Sequence, residues 1–236
     1  MVNKRIAVIP ARGGSKRLPK KNVIDFMGKP MISWSIEAAL DSGLFDTVLV
    51  STDCQDIADI ALKYGADVPF LRSEYADDHS TVSQATISAL KQLKKVNGKN
   101  YDTVVQLMAN CPIRSSVNII SQVKQYEENE GDFSLLSAFE YGMFNPWWAH
   151  YKNKKNEFEK ILKNYDETTR SQDLPELICP SGATWISDVK KLHETGTFYS
   201  QGYHFHKISW LDAVDIDDMD DLQLAKAAYL IRNEKL

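Results

Sequence analysis

Apolar residues cluster without alternation in three short runs of the chain: RIAVIPA at 5–11, DTVLVSTD at 46–53 and YDTVVQLMA at 101–109. Runs of this kind suit strands covered on both faces, and three of them predict a parallel sheet. Between them, residues 31–43 and 54–66 carry apolar positions three and four apart and close on glycine, which predicts two amphipathic helices. Residues 79–95 and 116–129 add two more, with hydroxyl residues placed to cap them. FSLLSAFEY at 133–141 reads as a fourth strand. The period is lost over 142–180, an aromatic and lysine-rich excursion. Order returns at GATWIS and at WLDAVDID (210–217), which reads as a last strand before an amphipathic terminal helix. The pattern is an alternating α/β wind, taken as one domain over residues 1–236.

Composition narrows the function without naming it. The chain has 236 residues, 43% of them hydrophobic, enough to bury a substantial core. Cys54, Cys111 and Cys179 are far apart and form no CxxC pair, which argues against a disulfide framework or a structural zinc site and for a reducing, cytoplasmic setting. No signal-peptide stretch opens the chain and no run of eighteen apolar residues occurs, so no membrane span is expected. A net charge of -4 gives no general attraction to polyanions, so nucleic acid is not the expected partner.

The positive charge is local instead. Directly after the first run comes ARGGSKRLPKKN, residues 11–22, at the position where doubly wound α/β proteins bind ligands. Gly13 and Gly14 let the backbone bend and approach an anion, Ser15 adds a hydroxyl, and Arg12, Lys16, Arg17, Lys20 and Lys21 supply countercharge. The turn has neither the P-loop spacing nor GxGxxG, so a phosphate site and a solvated basic turn both stand as readings. Near the other end, Asp215 and Asp217 flank Ile216, and in an extended chain they share a face. Such a pair suits Mg²⁺ together with substrate phosphates, or else it belongs with Asp218, Asp220 and Asp221 to an acidic helix start.

With these pieces placed, the chain resembles the acylneuraminate cytidylyltransferases, the CMP-sialic acid synthetases with their legionaminic and pseudaminic acid relatives. The resemblance rests on IPARGGSKRLPKKN with GKPMISWSIEAAL, VSTD, PFLRSEYADD, CPIR, RSQDLP with PSGATWI, and VDIDDMDDLQLA, over nearly the whole chain. It implies a three-layer α/β/α, Rossmann-like fold of the nucleotide-diphospho-sugar transferase type, with a dimerising extension. It also implies a reaction: CTP and a nine-carbon 2-keto sugar acid give the CMP-sugar and pyrophosphate, with Mg²⁺.

Carried over residue by residue, Arg12 and Lys21 fall on the triphosphate cations, and Ala11, Gly13, Gly14, Ser15 and Asn22 on nucleotide-contacting positions. Arg72 and the stretch Asp78 to Thr81 fall where the cytidine is held, with Ser80 and Thr81 nearest the base. Asp215 and Asp217 match the metal pair, with Arg12, Lys21 and Asp217 the catalytic set. Gln106, Asn110, Arg114, Arg170 and Gly182 fall to the sugar acid.

Two departures bear on the sugar. Met108 stands where the family commonly has glutamine, and Cys179 precedes PSG where the sialic acid enzymes often carry arginine. The resemblance then implies a legionaminic- or pseudaminic-type acid, with Arg114 or Arg170 the nearest substitute cations. No histidine among His79, His150, His193, His204 and His206 takes a catalytic role, and Cys111 and Cys179 read as small packed thiols. Phe144, Trp147, Trp148 and Tyr151 on the excursion suit an interface and, with the resemblance, a homodimer. The rival readings are a sugar-1-phosphate nucleotidyltransferase of the same fold, whose Gly-x-Gly-Thr-Arg loop is absent here, and a non-catalytic nucleotide binder.

Overall fold

The first apolar run forms β1 (Arg5–Pro10), whose Ile6, Ala7, Val8 and Ile9 are fully buried in the computed structural model, which describes residues 3–75, 80–165 and 168–233. After β1 come the two-residue strands β2 (Asp25–Phe26) and β3 (Lys29–Pro30), then α1 (Met31–Asp41), β4 (Thr47–Ser51), α2 (Gln55–Lys63), α3 (Val82–Asn97) and β5 (Thr103–Gln106). The second half holds α4 (Ser116–Glu128), β6 (Leu135–Glu140), β7 (His150–Lys152), β8 (Phe158–Lys160), β9 (Ile178–Asp188), α5 (Val189–Thr195), β10 (His204–Lys207) and α6 (Met219–Asn233).

The main sheet runs β10-β6-β9-β5-β1-β4, and every pairing is parallel except those of β9, which is antiparallel to both β5 and β6. Helices cover both faces, so the absence of alternation in β1 has its cause in the sheet's two buried sides. Ala7, Ile9, Ile36, Ile57, Ile119 and Val123 form one apolar layer. Ile6, Val8, Ala89, Leu93, Leu192 and Phe198 form the other. A third cluster, with Leu18, Phe26, Met31, Ile216, Leu222 and Ala225, seats α6 against the turn that follows β1. The α/β/α expectation is met. The chain reverses its winding at β1, with β4 on one side and β5 on the other, which places a ligand crevice beyond the end of β1.

Three expectations need correction. WLDAVDID is no strand: Asp212 and Ala213 turn back onto the Ser209 carbonyl, and the chain then runs without regular structure into α6. The last strand is β10, whose HFHK has no compact apolar run to announce it. The excursion also ends sooner, because Ile178, Cys179 and Pro180 already pair with Glu140, Phe139 and Ala138 of β6. What leaves the sheet is 141–177, whose described residues form three short 3-10 turns and the β7–β8 hairpin. Helix α5, started by Asp188 accepting from the Lys191 N–H, was not anticipated.

Candidate active site

The turn after β1 is tied at several points, and the ties aim its cations. Ala11 donates its N–H to the Ser51 carbonyl at 2.9 Å, and Gly13 donates to Asp53 Oδ1 at 2.8 Å. Asn22, buried, donates back to the Arg12 carbonyl at 2.9 Å and closes the loop. The N–H groups of Ala11 and Gly13 are thus committed within the protein. Neither glycine adopts a positive φ. Gly13 is required by close approach instead, since a Cβ there would meet Cys54 Cβ at 2.8 Å, whereas Gly14 faces open space.

A 3-10 turn at Lys21–Val23 sets the Lys21 ammonium 2.7 Å from Asp217 Oδ1, and the Arg17 guanidinium takes the other oxygen. Burial alone would raise the Asp217 carboxyl, but the hydrogen-bonded ion pairs with Lys21 and Arg17 hold it below its usual range. Asp215 is placed by Asn110, whose amide donates both to Asp215 Oδ1 and to the Ile216 carbonyl, while the Ile216 N–H returns a 3.0 Å bond to the Asn110 carbonyl. Ile216 is fully buried, so the two aspartates are presented on either side of a fixed point. Asp215 reaches water through an open side and is packed by protein on the others. That desolvation, and next the Asp217 charge, push its carboxyl up to about 6.

Arg72 completes the arrangement. It is 5% exposed, donates to the Ser51 carbonyl at 3.3 Å, and keeps its Nε buried without a hydrogen-bond partner. Burial lowers its pKa, Asp53 opposes that, and the like charge of Arg12 adds to the lowering. A cavity of about 150 Å³ is lined by Arg12, Lys21, Asn22, Arg72, Ser80, Thr81, Met108 and Asn110, among others. Asp215 and Asp217 stand beside this cavity, through Asn110 and Lys21, and do not line it; larger recesses of about 570 Å³ and 930 Å³ lie beside α3 and at the opposite end of the sheet and gather none of the loop cations. Among the described residues no group of three or more His, Cys, Asp or Glu could hold a metal alone. Two carboxylates with substrate phosphate oxygens are a donor set that Mg²⁺ accepts.

A family model for cytidylyltransferases matches residues 6–234. The chain belongs to this family. The cytidylyltransferase is 36% identical over 234 residues to a pseudaminic acid cytidylyltransferase of Campylobacter jejuni, covering 98% of each chain. It is 31% identical over 237 residues, again 98% of each, to the CMP-N,N'-diacetyllegionaminic acid synthase of Legionella pneumophila. A solved structure of CMP:2-keto-3-deoxy-manno-octonic acid synthetase complexed with CTP superposes with a TM-score of 0.71 over 98% of this chain and 100% of that one. At 16% identity it speaks for the fold alone.

The cytidylyltransferase brings most of the sequence-expected nucleotide residues to one cavity, but not all of the expected sugar residues. Thr81 lines the cavity while also capping α3, accepting from the Gln84 N–H in a capping box. Asp78 and His79 lie outside the described residues. Gln106 is fully buried at the end of β5, and with its amide assigned so that the oxygen accepts from the N–H groups of Met108 and Leu107, at 3.1 and 3.3 Å, it serves the backbone. Arg114 is 1% exposed and bonded to Ser35 and Ala183, so it cannot meet a substrate carboxylate directly. Arg170 stands on the excursion, forked onto Asp173, and does not line the cavity.

Gly182 does sit at the site: a Cβ there would meet Met108 Cγ at 2.8 Å and lie 3.8 Å from Asp215 Oδ2. Cys111 is a fully buried thiol, as expected. Cys179 is half-buried beside the Tyr141 hydroxyl. Sequence reasoning missed Asp53, which serves Gly13 and Arg72, and Arg17 as a partner of Asp217. The VSTD motif held the first in plain view.

Proposed function

We propose that this cytidylyltransferase couples CTP to a nine-carbon 2-keto sugar acid of the pseudaminic type, giving the CMP-sugar and pyrophosphate. The observation that carries the reading is the convergence of Arg12, Lys21 and Arg72 on one cavity beyond β1. Arg12 and Lys21 neutralise the triphosphate, and Arg72, Ser80 and Thr81 hold the cytidine. The anomeric hydroxyl gives up its proton to solvent as its oxygen forms a bond to the α-phosphorus, and the bond from that phosphorus to the bridging oxygen breaks, releasing pyrophosphate. Charge grows on phosphoryl oxygens during this exchange, and fixed cations aimed there lower the barrier. Asp215 and Asp217 are the residues to hold Mg²⁺, which when bound supplies further charge neutralisation to the phosphates. The sugar assignment is supported by the Campylobacter relative and by the Met108 and Cys179 departures, with a legionaminic-type acid as second choice from the Legionella relative.

Pyrophosphate release from CTP and Mg²⁺ should be seen with pseudaminic acid, and more weakly or not at all with N-acetylneuraminic and 3-deoxy-octulosonic acids. Preference for N-acetylneuraminic acid would overturn the sugar assignment. Tight CTP binding without turnover of any acid would overturn the reaction.

The cytidylyltransferase also works, in this proposal, as a cytoplasmic homodimer joined through the excursion. Among the described residues no helix is long and apolar enough to cross a membrane, and the three cysteines are unpaired thiols. Trp147 is satisfied within the excursion, donating to the Pro175 carbonyl and meeting Tyr165 edge-on. Phe144, 80% exposed, and Phe158, 72% exposed, stand largely uncovered among the described residues. Such rings favour burial against another surface. Protein from the soluble fraction should sediment at twice the chain mass at micromolar concentration, and Phe144→Asp with Phe158→Asp should yield single chains. A wild-type monomer at that concentration would refute the dimer.

A further inference from the structure

Arg114 is a buried guanidinium with no carboxylate partner among the described residues. Burial lowers its pKa to about 10, so it remains charged at neutral pH. A charge kept in the interior without a counter-ion is costly, and an apolar side chain of similar volume would usually pack as well. Its hydrogen bonds show what that cost accompanies. Nη1 donates to the Ala183 carbonyl at 3.1 Å, and Nη2 donates to Ser35 Oγ at 2.6 Å. Ser35, fully buried on α1, passes the link on by donating to the Met108 carbonyl at 2.9 Å.

The two carbonyls held in this way belong to the two segments that form the floor of the site. Met108 lines the cavity, and its N–H donates to the Gly182 carbonyl at 3.4 Å. Gly182 precedes Ala183 in β9, and its Cα carries no side chain because Met108 Cγ fills that space. Two residues beyond Met108, Asn110 holds Asp215.

We propose that Arg114 is a positioning residue. Through Ser35 and the Ala183 carbonyl it locks the 108–110 turn against the 182–183 step of β9, and so fixes the floor on which Asp215 stands. The planar guanidinium suits this task because two of its donors point in set directions to two different segments, which a flexible ammonium does not reproduce. Placement errors well below an ångström matter at such a floor, since misplacement by about 1 Å can lower turnover about a hundredfold.

The role rests on the cytidylyltransfer reading for its kinetic test but not for its structural one. Arg114→Met should lower kcat about tenfold or more while leaving the Kd for CTP within about threefold. Amide exchange over 107–111 and 181–184 should speed about tenfold in the same variant, with β4 and α3 unchanged. Ser35→Ala should show a milder form of both effects, and the double variant should be no worse than Arg114→Met, as a single relay requires. Effects that multiply in the double variant would overturn the proposal, as would wild-type exchange and kcat in Arg114→Met. If Arg114→Met does not fold, Ser35→Ala decides alone: unchanged exchange at both segments would sink the relay. An inactive wild-type protein would instead count against the proposed reaction, and the exchange measurement would still test the relay.

Discussion

Replacing Lys21 with methionine should lower kcat for pyrophosphate release about 10²–10³-fold and leave the fold intact. Lys21 is the better enclosed of the two cations on Asp217: its side chain is 16% exposed, against 66% for Arg17. It also lines the cavity, so its charge acts on the same space as Arg12 and Arg72. Methionine keeps the unbranched stem and removes only the charge. The stability cost should be small at pH 7.5, because Arg17 still pairs with Asp217.

The sign of the pH effect follows from the depressed Asp217 carboxyl. Its ion pairs stabilise the fold above the usual carboxylate pKa, and that contribution fades as pH falls through the lower, folded-state value. The methionine variant should therefore lose less stability on acidification than the wild type does. Arg17→Gln is the contrasting substitution, and a pair so exposed should change turnover less than about threefold. Circular dichroism and initial rates decide the matter. A loss of less than tenfold in Lys21→Met would show that the ammonium does not face the reacting phosphates.

Asp215→Asn should separate stability from activity in opposite directions. The Asp215 carboxyl is pushed up to about 6 by desolvation and by the neighbouring Asp217 charge. A carboxyl raised in the folded state opposes folding wherever it is ionised, so its penalty is absent below about pH 4 and complete above about pH 6. Asparagine removes the charge and can still accept from the Asn110 amide. In EDTA at pH 7.5 the variant should be more stable by about 1 kcal/mol, a figure already reduced for the carboxyl's access to water. That corresponds to a Tm about 2–4 °C higher, and the gain should vanish near pH 4. Turnover should fall about 10²-fold or more, because one of the two carboxylates proposed to hold Mg²⁺ is gone. Equal Tm values at pH 7.5, or wild-type turnover, would contradict the role given to Asp215.

Much of this arrangement could be read from local pattern. The compact run at 5–11 announced a central strand, and the turn after it had to lie at the crevice. That Ile216 turns into the core between Asp215 and Asp217 could be expected from alternation, even though no strand forms there. What could not be read was distance in space. The bond between Lys21 and Asp217 joins residues 196 positions apart, and no periodicity records it. Gln106 shows a different limit: alternation says which side a strand residue faces, but not that the following turn folds over it and takes up its amide. The resemblance offers Arg114 to the sugar acid as a substitute cation. The structure instead brings α1 and β9 over it, and a motif four residues long holds no trace of either. Arg170 is the case where more was legible than was used, since Asp173 lies three residues on in RSQD and forms its fork.

The register of β6 against β9 has an evolutionary consequence. Glu140 pairs with Ile178, so the whole of 141–177 enters and leaves the sheet at one point, like the loop of an oversized hairpin. Doubling the length of a flexible loop costs only about 0.6 kcal/mol in closure entropy. Insertions, deletions or wholesale exchange of this segment therefore put little at risk in the catalytic half of the molecule. Lineages are free to rewrite the surface it presents while β1, its turn and the paired aspartates stay as they are.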